Sequence, residues 1–549
     1  MNKIILRVLP CLLLFLKTTA FAQDWTQMLN DTSVNFYSLV EAFDSYWKDR
    51  PYEKGRGYKA FKRWQWFVEP RVYPSGDLKK ASRTYALEQV VNLQDPHFRT
   101  TPNLAPSSAT TANWSPVGPF GSPVNGDAGR VQAIRAHPTN TAVFYVGAAA
   151  GGFWMTQNAG ASYTTTTDQL GSCGVSDIAV NPLNPQIIYI STGDKDAGDT
   201  HSIGIYKSTD GGLTWSPSGL SWSTSQQRRI YRLLINPLNP NTLFAATSVG
   251  VYRSLNAGAS WSLVSSASAM DAEYRPGDTT TIYVVTASSF VKSINGGSSF
   301  SPVAISGLSG TNRLVVAVTP GNNNYLYLLA SNNSNGFGGL YKSINAGISF
   351  SLMSSTPNIF DWSANGSGSG GQGWYDIALD ASPSNPNEII AGGVNSWKSV
   401  NGGSSWSLNT HWTGAGGRPY VHADLHDVLY VTGSLCYLGT DGGVARSTNG
   451  GSTWTTINGN MNIAQMYKMG LSASTPSRII CGHQDNGTNL LNSTVWSEVR
   501  GGDGMDCFIS WNNDNVMVSS TQYGGFALST NGGTNWTGIT NGLTGNAPW

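Results

Sequence analysis

An eight-residue phrase, S-x-[D/N]-x-G-x-x-[W/F/Y], recurs along most of this chain and constrains its fold more than any other feature. The clear copies run Ser208 to Trp215, Ser254 to Trp261, Ser293 to Phe300, Ser343 to Phe350, Ser399 to Trp406, Ser447 to Trp454 and Ser529 to Trp536. A looser copy, Thr156 to Tyr163, opens the series. Between Asn158 and Asn531 the copies span 373 residues, and a double-length gap after Asn449 leaves room for a degenerate unit at Asn489 to Trp496. The pitch is about 47 residues, the spacing of four-stranded propeller blades. An Asp or Asn followed by Gly-Gly or Ala-Gly accepts backbone N–H bonds across a tight turn in which glycine takes positive φ. Each copy therefore predicts a hairpin turn, with its aromatic packed between neighbouring sheets.

Composition agrees with an all-β chain rich in turns: 63 glycines and only 12% charged residues. The N-terminus reads as a cleaved secretory signal over 1–22, with Lys3 and Arg7, an apolar run from Val8 to Leu16, and Ala20-Phe21-Ala22 before Gln23. That run is too short to span a bilayer, so an exported chain with no transmembrane segment is expected, secreted or held at the cell surface. Removing Lys3, Arg7 and Lys17 leaves 30 basic against 32 acidic residues, a balance that points away from nucleic acid. Cys173, Cys436, Cys481 and Cys507 remain after the signal. Export permits disulfides, buried thiols are the alternative, and spacing does not fix a pairing.

Residues 23–104 differ from the rest. Phe36, Leu39, Val40, Phe43 and Trp47 fall at helical spacing, and a basic aromatic stretch, Lys59 to Pro74, follows. Its aromatics are expected to pack rather than to bind nucleic acid. A Ser/Thr/Pro-rich linker covers 105–113, the end of the low-complexity run Thr101 to Asn113, and the propeller occupies 114–549. Trp114 to Val117 looks like an orphan outer strand that closes the last blade, and the chain stops at Trp549 where a further blade would begin, so the propeller is expected to be incomplete there.

The phrase resembles the Asp-box (BNR) repeat of sialidases, sortilin-type receptors and the xyloglucanase family of glycoside hydrolases. The N-terminal segment resembles leader regions of secreted Bacteroidetes proteins that leave by the type IX route. The resemblance implies a large β-propeller, either one ring of about ten blades or two seven-bladed rings. It also implies that the boxes are folding devices on the face away from the active site. Sialidases carry a Phe/Tyr-Arg-Ile-Pro motif before the first box; Tyr274-Arg275-Pro276 lacks the Ile and follows three boxes. Xyloglucanases use two Asp residues in an inverting reaction, the first just before a Gly-Gly of the opening blade, where this chain has Ala148-Ala149-Ala150 before Gly151-Gly152.

Candidate chemistry should come from the face opposite the turns. His422, Asp424 and His426 form H-x-D-x-H on an expected inner strand, where alternation sends all three side chains the same way. Such a set suits a metal, an acid/base pair or a hydrogen-bond ladder lining the channel. Asp441, Gln484 with Asp485, Asp503, and Trp374-Tyr375-Asp376 come from blades nearby. Asp441, Asp485 and Asp503 are the candidate catalytic carboxylates, and the aromatic, histidine and remaining polar residues the candidate ligand-binding set. Asp194, Asp196 and Asp199 alternate around Gly198 in a loop that suggests calcium, although no distal Glu follows as in an EF-hand. No cofactor other than calcium is implied. The expected role is recognition or adhesion toward a glycan or extracellular protein; the alternative is a polysaccharide hydrolase with carboxylate acid/base chemistry.

Overall fold

The computed structural model describes residues 25–29, 31, 33–51, 57–82, 85, 115–121 and 123–542. The stretch 1–22 read as a signal, the expected linker and Trp114 lie outside the described residues. Two compact units divide the chain near residue 105. The first is helical, with helices α1 (Trp25–Met28), α2 (Phe36–Trp47) and α3 (Tyr58–Val72). Asn35 caps α2 through its side chain, which accepts from the Tyr37 N–H. Phe36, Leu39, Phe43 and Trp47 are buried, Phe61 of α3 stacks on Phe43 at 3.8 Å, and Trp64 packs on Phe36. The basic aromatic stretch is thus a helix whose inner aromatics build this small core, while Trp66 and Phe67 stay exposed. No helix among the described residues is long and apolar enough to cross a membrane.

The second unit is a run of nine four-stranded antiparallel sheets, blades 1 to 9 at 131–165, 175–221, 230–265, 271–303, 311–354, 378–408, 425–456, 466–500 and 504–538. Inner strands of blades 1 to 7 carry no exposed residue, as in Val131–Ala136 and Val175–Val180, because each lies between two neighbouring sheets; that of blade 8, Met466–Leu471, is mostly exposed. The ring closes after seven. Blade 7 packs its inner strand on that of blade 1, and Val131, Ile134, Phe144 and Val146 share one apolar core with Tyr437 and Val444. Blades 8 and 9 stand outside this ring and pack on each other, around Ile480, Leu490, Cys507, Ile509 and Met517. Closure at seven excludes the single ring of about ten blades, and one seven-bladed ring with two further blades is found among the described residues; the degenerate unit at Asn489 to Trp496 lies in blade 8.

Blade 7 carries its own outer strand, so residues 115–119 do not supply one. They form no strand, and the Val117 carbonyl instead accepts from Trp496 Nε1 of blade 8. Cys436, Cys481 and Cys507 are buried free thiols, the last two in adjoining blades.

The repeated phrase does what its chemistry dictates. In blade 3, Ser254 Oγ accepts from Gly258 N at 2.9 Å while Asn256 Oδ1 accepts from Ser260 N at 2.9 Å. The same pair of bonds recurs at Ser208 and Asp210, and at Ser447 and Asn449. The two central residues both take positive φ, Ala257 at 55° and Gly258 at 83°. The aromatic then reaches the preceding blade: Trp215 meets Phe153 edge-on and donates to Thr166, and Trp406 donates to Ser354.

A second repeated device lines the central channel. Asp177, Asp271, Asp380 and Asp427 of inner strands each accept the backbone N–H of a neighbouring inner strand, from Leu233, Val316, Tyr430 and Ile134 respectively. Asp427 makes this bond across the closing seam at 2.7 Å and also pairs with Arg135, which bridges to Asp177. Substituting Asp427 with Ala orphans a buried N–H and unbalances Arg135. We expect a loss of about 2–4 kcal/mol, read as a lower urea midpoint, with a smaller effect for Asp427→Asn.

Candidate functional site

The path of the chain separates the two propeller faces. Turns between first and second strands and those of the repeated phrase lie on one face; loops between second and third strands, and the connections between blades, lie on the other. Every candidate residue sits on this second face or at the strand ends that meet it.

At the mouth of the channel a buried chain of charge crosses the ring. Arg313, early in the inner strand of blade 5, donates to Asp196 Oδ1 at 2.5 Å. Asp196 Oδ2 faces His426 Nδ1 at 2.9 Å, and His426 Nε2 faces Asp441 Oδ1 at 2.8 Å. Tyr375 donates to Asp441 Oδ2 at 2.5 Å, Arg130 donates to Tyr375 at 2.8 Å, and Arg130 also holds Asp194 at 2.7 Å and Asp199 at 3.4 Å. Blades 1, 2, 5, 6 and 7 are thereby joined through side chains. The loop carrying Asp194, Asp196 and Asp199 thus spends its carboxylates on two guanidinium groups and an imidazole.

Each shift in acidity follows from these contacts. Burial alone would lower His426, but Asp441 and Asp196 overcome it and hold the imidazolium up to about 9. Burial alone would raise Asp196 and Asp441; Arg313 and His426 keep the first low, His426 and Arg130 the second. The two carboxylates flanking one protonated imidazole are therefore ionised.

Above Asp441 lies a tighter acidic group. One oxygen each of Asp424, Asp441 and Asp485 falls within 4.8 Å of the others. Burial raises Asp485 well above the usual carboxylate range, and Asp441 and Asp503 raise it further. Burial likewise raises Asp424 and Asp376 well above that range, with Asp376 and Asp441 adding to the effect at Asp424. The like charge of Asp376 thus bears on Asp424, and that of Asp503 on Asp485. Asp503 Oδ1 also accepts the Asp485 N–H at 2.8 Å.

The expected alternation of His422, Asp424 and His426 is not what the chain adopts. The inner strand begins only at Leu425, and Asp424 takes a left-handed φ of 67°, which breaks the period of two. His422 instead faces the Asp485 carbonyl at 3.2 Å, Asp424 accepts from Gln372 Nε2, and His426 alone joins the charge chain. Gln484 contributes its carbonyl, which accepts from Asn486, whose amide also reaches the Asp441 carbonyl. Trp374 is exposed and packs on Tyr375.

Residues not anticipated from sequence complete the site. Arg130 and Arg313 stand near the start of inner strands, and their partners lie in a different blade. Asp127, next to Tyr420 at 2.6 Å, raises the His422 pKa against its burial. Trp362 and Trp412, on connections of the same face, are 58% and 44% exposed, beside Trp374 at 52%. Asn395 ties the first pair together, donating to the Trp362 carbonyl and accepting from Trp412 N.

The charge chain sets a pH signature. His426 is raised in the folded state, so its contribution is complete below the unfolded value of ~6.5 and disappears as pH climbs through about 9. Asp196 and Asp441 are lowered, so theirs is present above ~3.9 and is lost as pH falls. Urea midpoints should therefore decline from pH ~6.5 to ~9, and His426→Gln should flatten that limb.

No family model matches the chain. The xyloglucanase of Hypocrea jecorina (strain QM6a) is 28% identical over 159 residues, 27% of this chain and 19% of that protein. The chain thus spans about a fifth of that curated relative's length. Two solved structures are similar at a TM-score of 0.57: the GH74 enzyme of Niastella koreensis and the GH74 xyloglucanase of Xanthomonas campestris. Identities are 18% and 16%; the matches cover 77% and 76% of this chain and 68% of each enzyme. At such identities the likeness establishes the fold, a propeller of four-stranded blades.

Proposed function

We propose that this is an exported glycan-acting protein of the glycoside hydrolase class, working on the face opposite the repeated turns. The observation that carries the reading is the split in protonation inside one acidic group. Asp441 is held ionised by His426, while Asp485, no more than 4.8 Å away, keeps its proton. Carboxyls whose surroundings drive their acidities apart are what acid-assisted glycoside cleavage requires. Asp485, which retains some solvent contact, is the proton donor to the leaving oxygen. The ionised Asp441 faces the positive charge that develops on the sugar ring, and Asp503 holds the Asp485 backbone by accepting its N–H. Exposed Trp362, Trp374 and Trp412 offer stacking surfaces for sugar rings.

The spacing bears on stereochemistry. Inverting enzymes separate their carboxyls by about 6.5–9.5 Å to admit a water, retaining ones by about 5–5.5 Å. The separation here fits retention, unlike the inverting outcome that the resemblance to xyloglucanases implies. Where that resemblance places a carboxylate, in the stretch Ala148 to Ala150 before Gly151-Gly152, an alanine stands instead, and the Ala149 N–H donates to the Arg130 carbonyl. That alanine favours the second reading, glycan recognition or adhesion without turnover.

Reducing-end release from xyloglucan and other plant and microbial glycans separates the two. For a hydrolase, Asp485→Asn should lower kcat/KM by about 10²-fold or more, with activity in the unsubstituted chain falling toward alkaline pH and products of retained configuration. Binding in affinity gels without release on any glycan supports recognition. Neither binding nor release sinks both.

A further inference from the structure

The connection between blades 5 and 6 carries a pattern that the acidic group does not use. From Asp361 to Gln372 it reads D-x-S-x-N-G-x-x-x-x-x-Q, the order of oxygen donors and glycine in a twelve-residue calcium loop, with Ser and Gln in place of two acidic positions. Gly366 stands at the sixth position, where such loops turn sharply, and takes a φ of 62°.

The side chains converge as the pattern demands. Asp361 Oδ2 accepts from Ser363 Oγ and from Gly368 N, and Ser363 Oγ lies 3.0 Å from Asn365 Oδ1. An independent observation points to a ligand. Asp361 is completely buried, no Lys, Arg or His among the described residues pairs with it, and its Oδ1 has no hydrogen-bond partner. Burying such an oxygen without compensation is costly. The space it faces is kept clear: a Cβ on Gly368 would stand 2.5 Å from Oδ1.

We propose that this loop binds a divalent cation, calcium, through Asp361, Ser363 and Asn365. A hard ion with oxygen ligands satisfies the orphaned carboxylate oxygen and replaces the contacts now made between neutral donors. Gln372, at the twelfth position, turns its amide to Asp424 instead. With a single carboxylate the affinity belongs in the range of extracellular modules, about 10⁻⁴–10⁻³ M. The ion would also fix Trp362, the residue after Asp361, and through Asn395 the neighbouring Trp412. The proposal stands without the hydrolase reading.

Terbium tests it on the full chain stripped with chelator, because Trp362 adjoins the loop and can sensitise terbium emission. Tryptophan-excited emission should appear on titration and be displaced by millimolar calcium. Asn365→Ala, at an exposed position, should weaken terbium binding about tenfold, and Asp361→Asn should do so at least as strongly. Trp362→Phe should dim the signal at unchanged affinity. Absence of emission, or a titration abolished by Asp424→Asn but indifferent to Asn365→Ala, overturns the proposal.

Discussion

One protonated imidazole organises the functional face. His426 lies between Asp196 and Asp441 with no solvent contact on its side chain, and each carboxylate is tied in turn to an arginine or a tyrosine from another blade. Removing any member would leave an uncompensated buried charge, which is far more damaging than the loss of a surface pair. The apolar seams between blades hold the ring closed. The charge chain fixes where the loops above it stand, and through Asp441 it determines which neighbouring carboxyls keep their protons.

Much of the fold was legible because the repeated phrase encodes its own geometry. Ser, Asx and Gly at fixed offsets specify one turn, and the aromatic that ends the phrase specifies a contact with the sheet before it. The third strand of a blade accordingly ends on the Ser that opens the phrase, as Gly204–Ser208 and Gly250–Ser254 do. Closure at seven was not legible, because no single repeat states how many neighbours complete a circle. That number emerges from the angle between packed sheets, and here from the meeting of blade 7 with blade 1.

The site was legible only in part, for a related reason. Strand order alone selects the face, and polar residues of four successive blades, 6 to 9, were singled out by type. What sequence does not carry is partnership across the ring. Arg130 and Asp194, or Arg313 and Asp196, stand 64 and 117 positions apart, and no period relates them. The alternation assumed for His422, Asp424 and His426 failed because a left-handed residue precedes the strand, a local conformation that Asp tolerates better than most. Trp362 and Trp412 were passed over because aromatics in such a fold are usually interior.

Blades 8 and 9 stand outside the closed ring yet deliver Asp485 and Asp503 to a cluster whose other members, Asp376, Asp424 and Asp441, belong to blades 6 and 7. The acidic centre is therefore composite, built on a seam between a self-sufficient circle and an appended pair of sheets. Seating of that pair is what completes the centre, so the distance between Asp441 and Asp485 is a coordinate of the seam as much as of the site.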